Sequence, residues 1–187
     1  MQLKARDRKQ VGDAVENFVE KLVAGKMDFA SARCDLRLAL DEVGHSELGD
    51  EEWLNAVLEL NTSLRQNWRN YDSGLHPAIL DQWPAQEFCR IGPRAVHRDW
   101  LRRWTDAGGR ACNGKMIALI DDPIWYALSD FGFPFPPFAL GSGMGVRAID
   151  RDAAIGLGLI DRDRRVFPKR VPRPKLLLPE PGAKTVV

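Results

Sequence analysis

"GKMIALIDDPIWYALSDFGFPFPPFALGSGMG", residues 114–145, holds three kinds of backbone in succession. Met116–Ile120 is an unbroken apolar run, the right length for a strand and too short for a buried helix. Pro123 suits a first helical position, and Gly132 suits the end of the short helix that would follow. Phe131 to Phe138 then packs four phenylalanines and three prolines into eight residues. No helix or central strand tolerates that proline density. A solvated loop does not usually carry so many phenylalanines. A strand, a short helix and a greasy irregular segment in succession predict an α+β fold with much irregular structure. The prolines restrict the backbone before it folds, and each buried phenylalanine contributes about 1.5–3 kcal/mol. The segment therefore reads as a rigid wall over a small sheet, with Trp125 and Phe135 in the core and Pro136 and Pro137 as structural positions.

Working outward, "IDRDAAIGLGLI" (149–160) offers Asp150 as the N-cap of a last short helix with Gly158 near its end. "PAQEFCRIG" (84–92) alternates enough for a short strand, and "RAVHRDWLRRWTDAGG" (94–109) reads as a short helix closed by Gly108 and Gly109. "GSGMG" (141–145) reads as turns between packed aromatics, because it lacks the strand-turn-helix setting and the lysine of a phosphate loop.

Towards the N-terminus the period changes to that of helices. Val11, Ala14, Val15, Phe18, Val19 and Leu22 follow i, i+3, i+4 spacing up to Gly25. A second helix starts after Asp28 as N-cap and carries Ala32, Leu36, Ala39, Leu40 and Val43. A third starts at Asp50, with Glu51 and Glu52 suited to the helix dipole, and carries Trp53, Leu54, Val57, Leu58, Leu60, Leu64 and Trp68. Short Gly-containing joints make this a helical arm or small bundle. At the other end, Pro168, Pro172, Pro174, Pro179 and Pro181 exclude regular elements, so an extended Pro-rich tail is expected, basic in its first half. The division is a helical region over 1–74, an α+β module over 75–161 and the tail over 162–187.

Charge excludes little: 27 lysines and arginines face 26 acids. There is no run of eighteen apolar residues, and the charged N-terminus has no apolar signal core, so the expectation is a cytosolic chain with no membrane contact. Cys34, Cys89 and Cys112 are too scattered for a disulfide framework or a zinc spacing and read as buried free thiols.

The candidate chemistry centres on "RIGPRAVHRDWLRRW" (90–104). On a helix, Arg94, Arg98 and Arg102 would share one face, as would Trp100 and Trp104. Guanidiniums suit phosphates and tryptophans stack on bases, so one reading is nucleic-acid contact. The other is an amphipathic helix with its tryptophans in the core and its arginines solvated or paired. His97 and Asp99, two apart, would point away from each other on a helix, His45 and His76 lie in unrelated segments, and Ser142 has no elbow motif. No catalytic residue, metal site or cofactor is assigned. In the tail, Arg170, Arg173 and Leu177 are the expected interaction residues: the arginines for acidic or phosphate surface, the leucines for a groove on this protein or a neighbour.

"NTSLRQNWRNY" (61–71), "WPAQEFCRIGPRAVHRDWLRRW" (83–104), "DDPIWYALSDFGFPFPPFALGSGMG" (121–145) and "IDRDAAIGLGLI" (149–160), in that order, resemble the phage head morphogenesis family, the Mu F-like minor head proteins. The resemblance covers about residues 56 to 160 and lies in segment order. It places the family's Asn-x-x-(Arg/Gln) stretch on Asn61, Leu64 and Arg65, its arginine after the first strand on Arg94, its Pro-aromatic-Trp step on Pro123, Ile124 and Trp125, and its double proline on Pro136 and Pro137. Many members continue into a Cys-x-Cys ending; here the chain runs "FALGSGMGV" with no cysteine. The resemblance implies a structural virion protein of a phage or prophage that takes part in capsid assembly. Its partners would be head or portal proteins, with packaged DNA as a further contact, and it would stand in host cytoplasm during assembly. The alternative is a small nucleic-acid-binding or nuclease-like protein using residues 90–104.

Overall fold

The computed structural model describes residues 5–93 and 96–179. Among them are seven α-helices and one four-stranded antiparallel sheet, so the fold is α+β. The chain forms two compact units: Met1–Gln66 with Arg173–Val187, and Asn67–Pro172.

The first unit is helical. It holds α1 (Ala5–Val23), α2 (Phe29–Glu42) and the start of α3 (Glu51–Gly74). Asp28 caps α2 by accepting from the Ser31 backbone N–H at 2.8 Å and its hydroxyl at 3.0 Å. Those bonds hold its carboxyl below the usual range. Asp50 caps α3 by accepting from the Trp53 N–H at 2.7 Å. The apolar stripes meet in one core: Val11, Val15 and Val19 of α1, Ala32, Leu36 and Leu40 of α2, and Trp53, Leu54, Val57 and Leu58 of α3. The extended tail joins it, for Leu176 and Leu178 pack against these residues.

The second unit is built on a sheet. After the end of α3 come α4 (Pro77–Gln82), β1 (Ala85–Arg90), α5 (Trp100–Asp106), β2 (Ala111–Cys112), β3 (Lys115–Leu119), α6 (Ile124–Leu128), β4 (Met144–Ile149) and α7 (Arg151–Gly156). The strand order is β2-β3-β1-β4. β1 is central, with Phe88 opposite Met116 of β3 and Val146 of β4. β2 and β3 are joined by Asn113 and Gly114, both at positive φ (52° and 77°), the backbone a two-residue hairpin requires.

Alternation sorts the strands onto two faces. Phe88, Met116, Ala118, Met144 and Val146 meet Trp100 and Trp104 of α5, Trp125 and Leu128 of α6, and Phe138. Ala85, Ile117, Leu119 and Ile149 meet Ala154 of α7, Ile160 and Val166. The first face carries an aromatic cluster: the Phe88 ring lies 5.1 Å from both Trp100 and Phe138, and Trp125 lies 5.7 Å from Trp104. These are edge contacts, which ring quadrupoles favour.

The structure departs from the sequence expectations in several places. β4 occupies a stretch read partly as turns; its Gly145 pairs with Cys89 as an ordinary ladder position. α5 begins only at Trp100, because Asp99 caps it there by accepting from the Arg102 N–H at 3.0 Å. α6 ends at Leu128 rather than Gly132, its Pro123 standing at the cap. The unit boundary falls inside α3 and again after Pro172, since a continuous helix shows no break where its packing partners change. Cys34 is exposed on α2, while Cys89 and Cys112 are half-buried.

Candidate functional site

Two constructions use the residues that the sequence singles out. The first, in the second unit, is the wall between α6 and β4. Its backbone is irregular and proline-rich, so few of its own N–H groups can satisfy its carbonyls. Arginines do so instead. Arg90 donates to Ser142 O at 3.0 Å, Arg98 to Leu140 O at 3.1 Å, and Arg103 to Leu128 O at 3.0 Å and Asp130 Oδ1 at 2.8 Å. Main-chain bonds add to these: Ile91 and Gly92 donate to Gly143 O, and Val96 to Gly141 O. Inside the wall, Ser129 Oγ accepts from the Phe131 and Phe133 N–H groups, and Asp130 N–H donates to Phe138 O at 2.7 Å. The Pro136–Pro137 bond is cis.

The expected arginine face therefore does not form. Arg98 precedes α5 and turns to the wall, Arg102 is exposed and pairs along the helix with Asp106 at 3.6 Å, and Arg94 lies outside the described residues. Trp100 is 5% exposed, with Arg103 4.7 Å from its ring centre and Phe88 against it, which leaves no free face for a base. His97 is exposed on a non-helical segment, and Asp99 is engaged as a cap. Among the described residues no cluster of His, Cys, Asp and Glu could hold a metal ion, and no helix is long and apolar enough to cross a membrane.

Trp125 is fully buried, its indole donating to Leu119 O at 2.7 Å. Phe135 is buried too, but away from the aromatic cluster: it lies 5.1 Å from Tyr71 and 5.5 Å from Phe133. With Pro134 and Pro136 it walls an apolar cleft of about 280 Å³, closed by Tyr71, Trp83, Gln86, Ile120 and Val146. Pro136 lines it, while Pro137 is only half-buried. Tyr71 donates to Lys169 O at 2.7 Å, and burial pushes its phenol up, with Tyr126 adding to the effect.

The second construction, in the first unit, is a seat for the tail. Asn61 lies on the apolar stripe of α3, 4% exposed. Its Nδ2 donates to Leu177 O and its Oδ1 accepts from Leu177 N–H, at 2.7 and 2.8 Å. Trp53 Nε1 donates to Pro179 O at 3.0 Å. One helical turn on, the buried Arg65 holds Glu20 at 2.7 Å and Glu16 at 2.9 Å, and Arg173 of the tail joins the same two carboxylates, at 2.8 Å to Glu20. Two guanidiniums and two carboxylates thus meet at this point. The tail's expected contacts are realised within the chain: Arg173 with Glu16 and Glu20, and, in the second unit, Arg170 with Asp72 at 2.9 Å. The leucines that enter the core are Leu176 and Leu178, whereas Leu177 contributes its backbone.

Sequence reasoning treated the α3 stripe as packing and missed Trp53, Glu16 and Glu20 as tail contacts. The available signal was the continuation of the stripe from Leu54 and Val57 into polar Asn61 and Arg65, on a face that should be greasy. No family model, no curated protein and no solved structure matches the chain.

Proposed function

We propose that the protein is a structural component of a phage head, a minor head protein that takes part in capsid assembly through protein–protein contacts near the portal or head interior. The observation that carries this reading is the use of residues 90–104. That segment is the richest in arginine and tryptophan, and Arg90, Arg98 and Arg103 all serve as internal donors to the 128–142 wall. A rigid scaffold needs such pins, and a surface for nucleic acid needs the same groups free. The order of segments resembling the minor head proteins supplies the virion setting.

The test is sedimentation of heads assembled in a host extract, with the purified chain added, followed by incubation of the chain with DNA and RNA with and without divalent metal. Co-sedimentation with heads and intact nucleic acid are expected. A chain that stays in the supernatant, or that cleaves either substrate, overturns the reading.

A further inference from the structure

The tail seat recognises features that any copy of this chain can supply. Asn61 reads the backbone of one residue twice, and Trp53 reads a carbonyl two residues later. Leu176 and Leu178, two apart, fall on the same side of an extended segment and enter the core together. Arg173 closes on the Glu16 and Glu20 carboxylates. None of these contacts depends on the segment's covalent link to its own α3.

The chain is anchored again just upstream, within the second unit. Trp68 Nε1 donates to Val171 O at 3.0 Å, Tyr71 to Lys169 O at 2.7 Å, and Arg170 pairs with Asp72. Pro172 alone separates these anchors from Arg173, and it is exposed. A short proline-bearing hinge between two anchored runs is a favourable place for segments to exchange. An open groove of about 680 Å³ also runs beside the strap, lined by Lys9, Gly12, Asp13 and Glu16 of α1 and by the tail. Along that side the tail is bounded by solvent rather than by packed side chains.

We propose that this seat is a site for an extended peptide and that its second occupant is the tail of another copy, residues 173–179, exchanged across the Pro172 hinge. In dilute solution the tail's own link keeps its effective concentration high, on the order of millimolar for short linkers, and each chain closes on itself. Where copies are crowded to comparable concentrations, exchange competes, because contacts made within and between chains are the same. Reciprocal exchange gives a closed dimer, and one-way exchange gives a head-to-tail series. The inference stands on the tail contacts alone and does not rest on the head-protein reading.

Complementation of two full-length variants tests it. The acceptor carries Leu176→Asp and Leu178→Asp, so its tail cannot seat while its groove is intact. The donor carries Asn61→Ala, so its groove is weakened while its tail is intact. Sedimentation velocity over about 10 µM to about 1 mM, a range that brackets the effective concentration, should show a one-to-one dimer in the mixture and monomer for each variant alone. A fluorescein-labelled peptide of residues 173–187 should bind the acceptor at least about tenfold more tightly than wild type, whose own tail competes. A mixture that stays monomeric, with a peptide that binds both chains equally, overturns the proposal. Should the acceptor lose helix content by circular dichroism, the donor or the peptide must restore it; failure of both also overturns the proposal.

Discussion

Asn61→Ala isolates the clamp on the tail. The substitution removes two bonds to Leu177, at 2.7 and 2.8 Å, and a third from Nδ2 to Val57 O at 2.7 Å. The Val57 carbonyl keeps its helical partner, so the cost lies in the strap. Two hydrogen bonds at about 1 kcal/mol each, with a partial penalty for leaving the half-buried Leu177 amide and carbonyl without their partner, give about 2–3 kcal/mol for unseating the tail. That energy corresponds to about a 30- to 150-fold increase in the open population. Trypsin reads it at Lys175, which is exposed but lies in the seated run and must leave it to enter a protease cleft. When opening is fast relative to cleavage, the rate follows that population. The same substitution in a chain ending at Pro172 should have a much smaller effect on urea stability, a coupling of about 2 kcal/mol in the double-mutant cycle. Asn61→Asp adds a sign test. A carboxylate at this buried position would face the Val57 and Leu177 carbonyls, which raises its folded-state pKa above the unfolded value. Its extra penalty is then absent below the unfolded pKa, grows as pH rises towards the folded one, and is complete above it. Exchange protection of the Leu177 amide should therefore recover on acidification. A cleavage rate within about threefold of wild type for Asn61→Ala, under about 0.7 kcal/mol, or full additivity in the cycle, refutes the clamp.

Trp125→Ala and Phe138→Ala should each cost about 3–5 kcal/mol in urea denaturation, because both are fully buried in one aromatic cluster; an unchanged midpoint would place the ring outside the core. Gly143→Ala should cost more than about 2 kcal/mol, since Gly143 has φ +64° and a Cβ there would overlap the Pro93 and Gly92 carbonyls. Gly145→Ala should cost under about 1 kcal/mol, because its Cβ would meet the Ile91 side chain, which is 66% exposed and can swing away; equal thermal shifts for the two variants would contradict this. Alkylation followed by mass spectrometry at pH 8 should label the exposed Cys34 before Cys89. Burial, with Glu87 adding and Arg147 and Lys115 opposing, pushes the Cys89 thiol up, which leaves less thiolate at that pH; equal rates for the two would refute it.

Elements with a strong local signal were legible in the sequence. Asp28, Asp50 and Asp150 each cap the helix expected of them, β1 lies where the sequence alternates, and β3 lies where its apolar run stands. β4 was not legible because Arg147 and Ala148, on opposite faces, are both exposed and Gly145 stands among its buried residues, so no apolar run marks it. The Asn113-Gly114 pair was a hairpin signal that went unread, since only two residues precede it as strand. A groove for the tail's leucines was expected, but which groove was not legible: Leu176 and Leu178 alternate towards a core whose other members stand more than a hundred residues earlier.

That the sequence left two readings of residues 90–104 open has the same origin. A row of arginines beside tryptophans is equally consistent with a partner's phosphates and with the chain's own carbonyls, and sequence spacing does not distinguish the two. The deciding fact lies elsewhere in the chain. Residues 131–138 contain three prolines, each without an N–H, so the wall around them offers more acceptors than donors. Buried carbonyls need partners, and long guanidinium side chains from a neighbouring segment supply them without requiring regular secondary structure. The proline-aromatic wall and the arginine segment are therefore one structural device. Loss of Arg98 or Arg103 should consequently loosen residues 128–142 and lower stability in urea denaturation, and the share due to the carbonyl bonds should persist at high salt while only the part-exposed pairing with Asp130, 4.0 Å from Arg98 and 2.8 Å from Arg103, is screened.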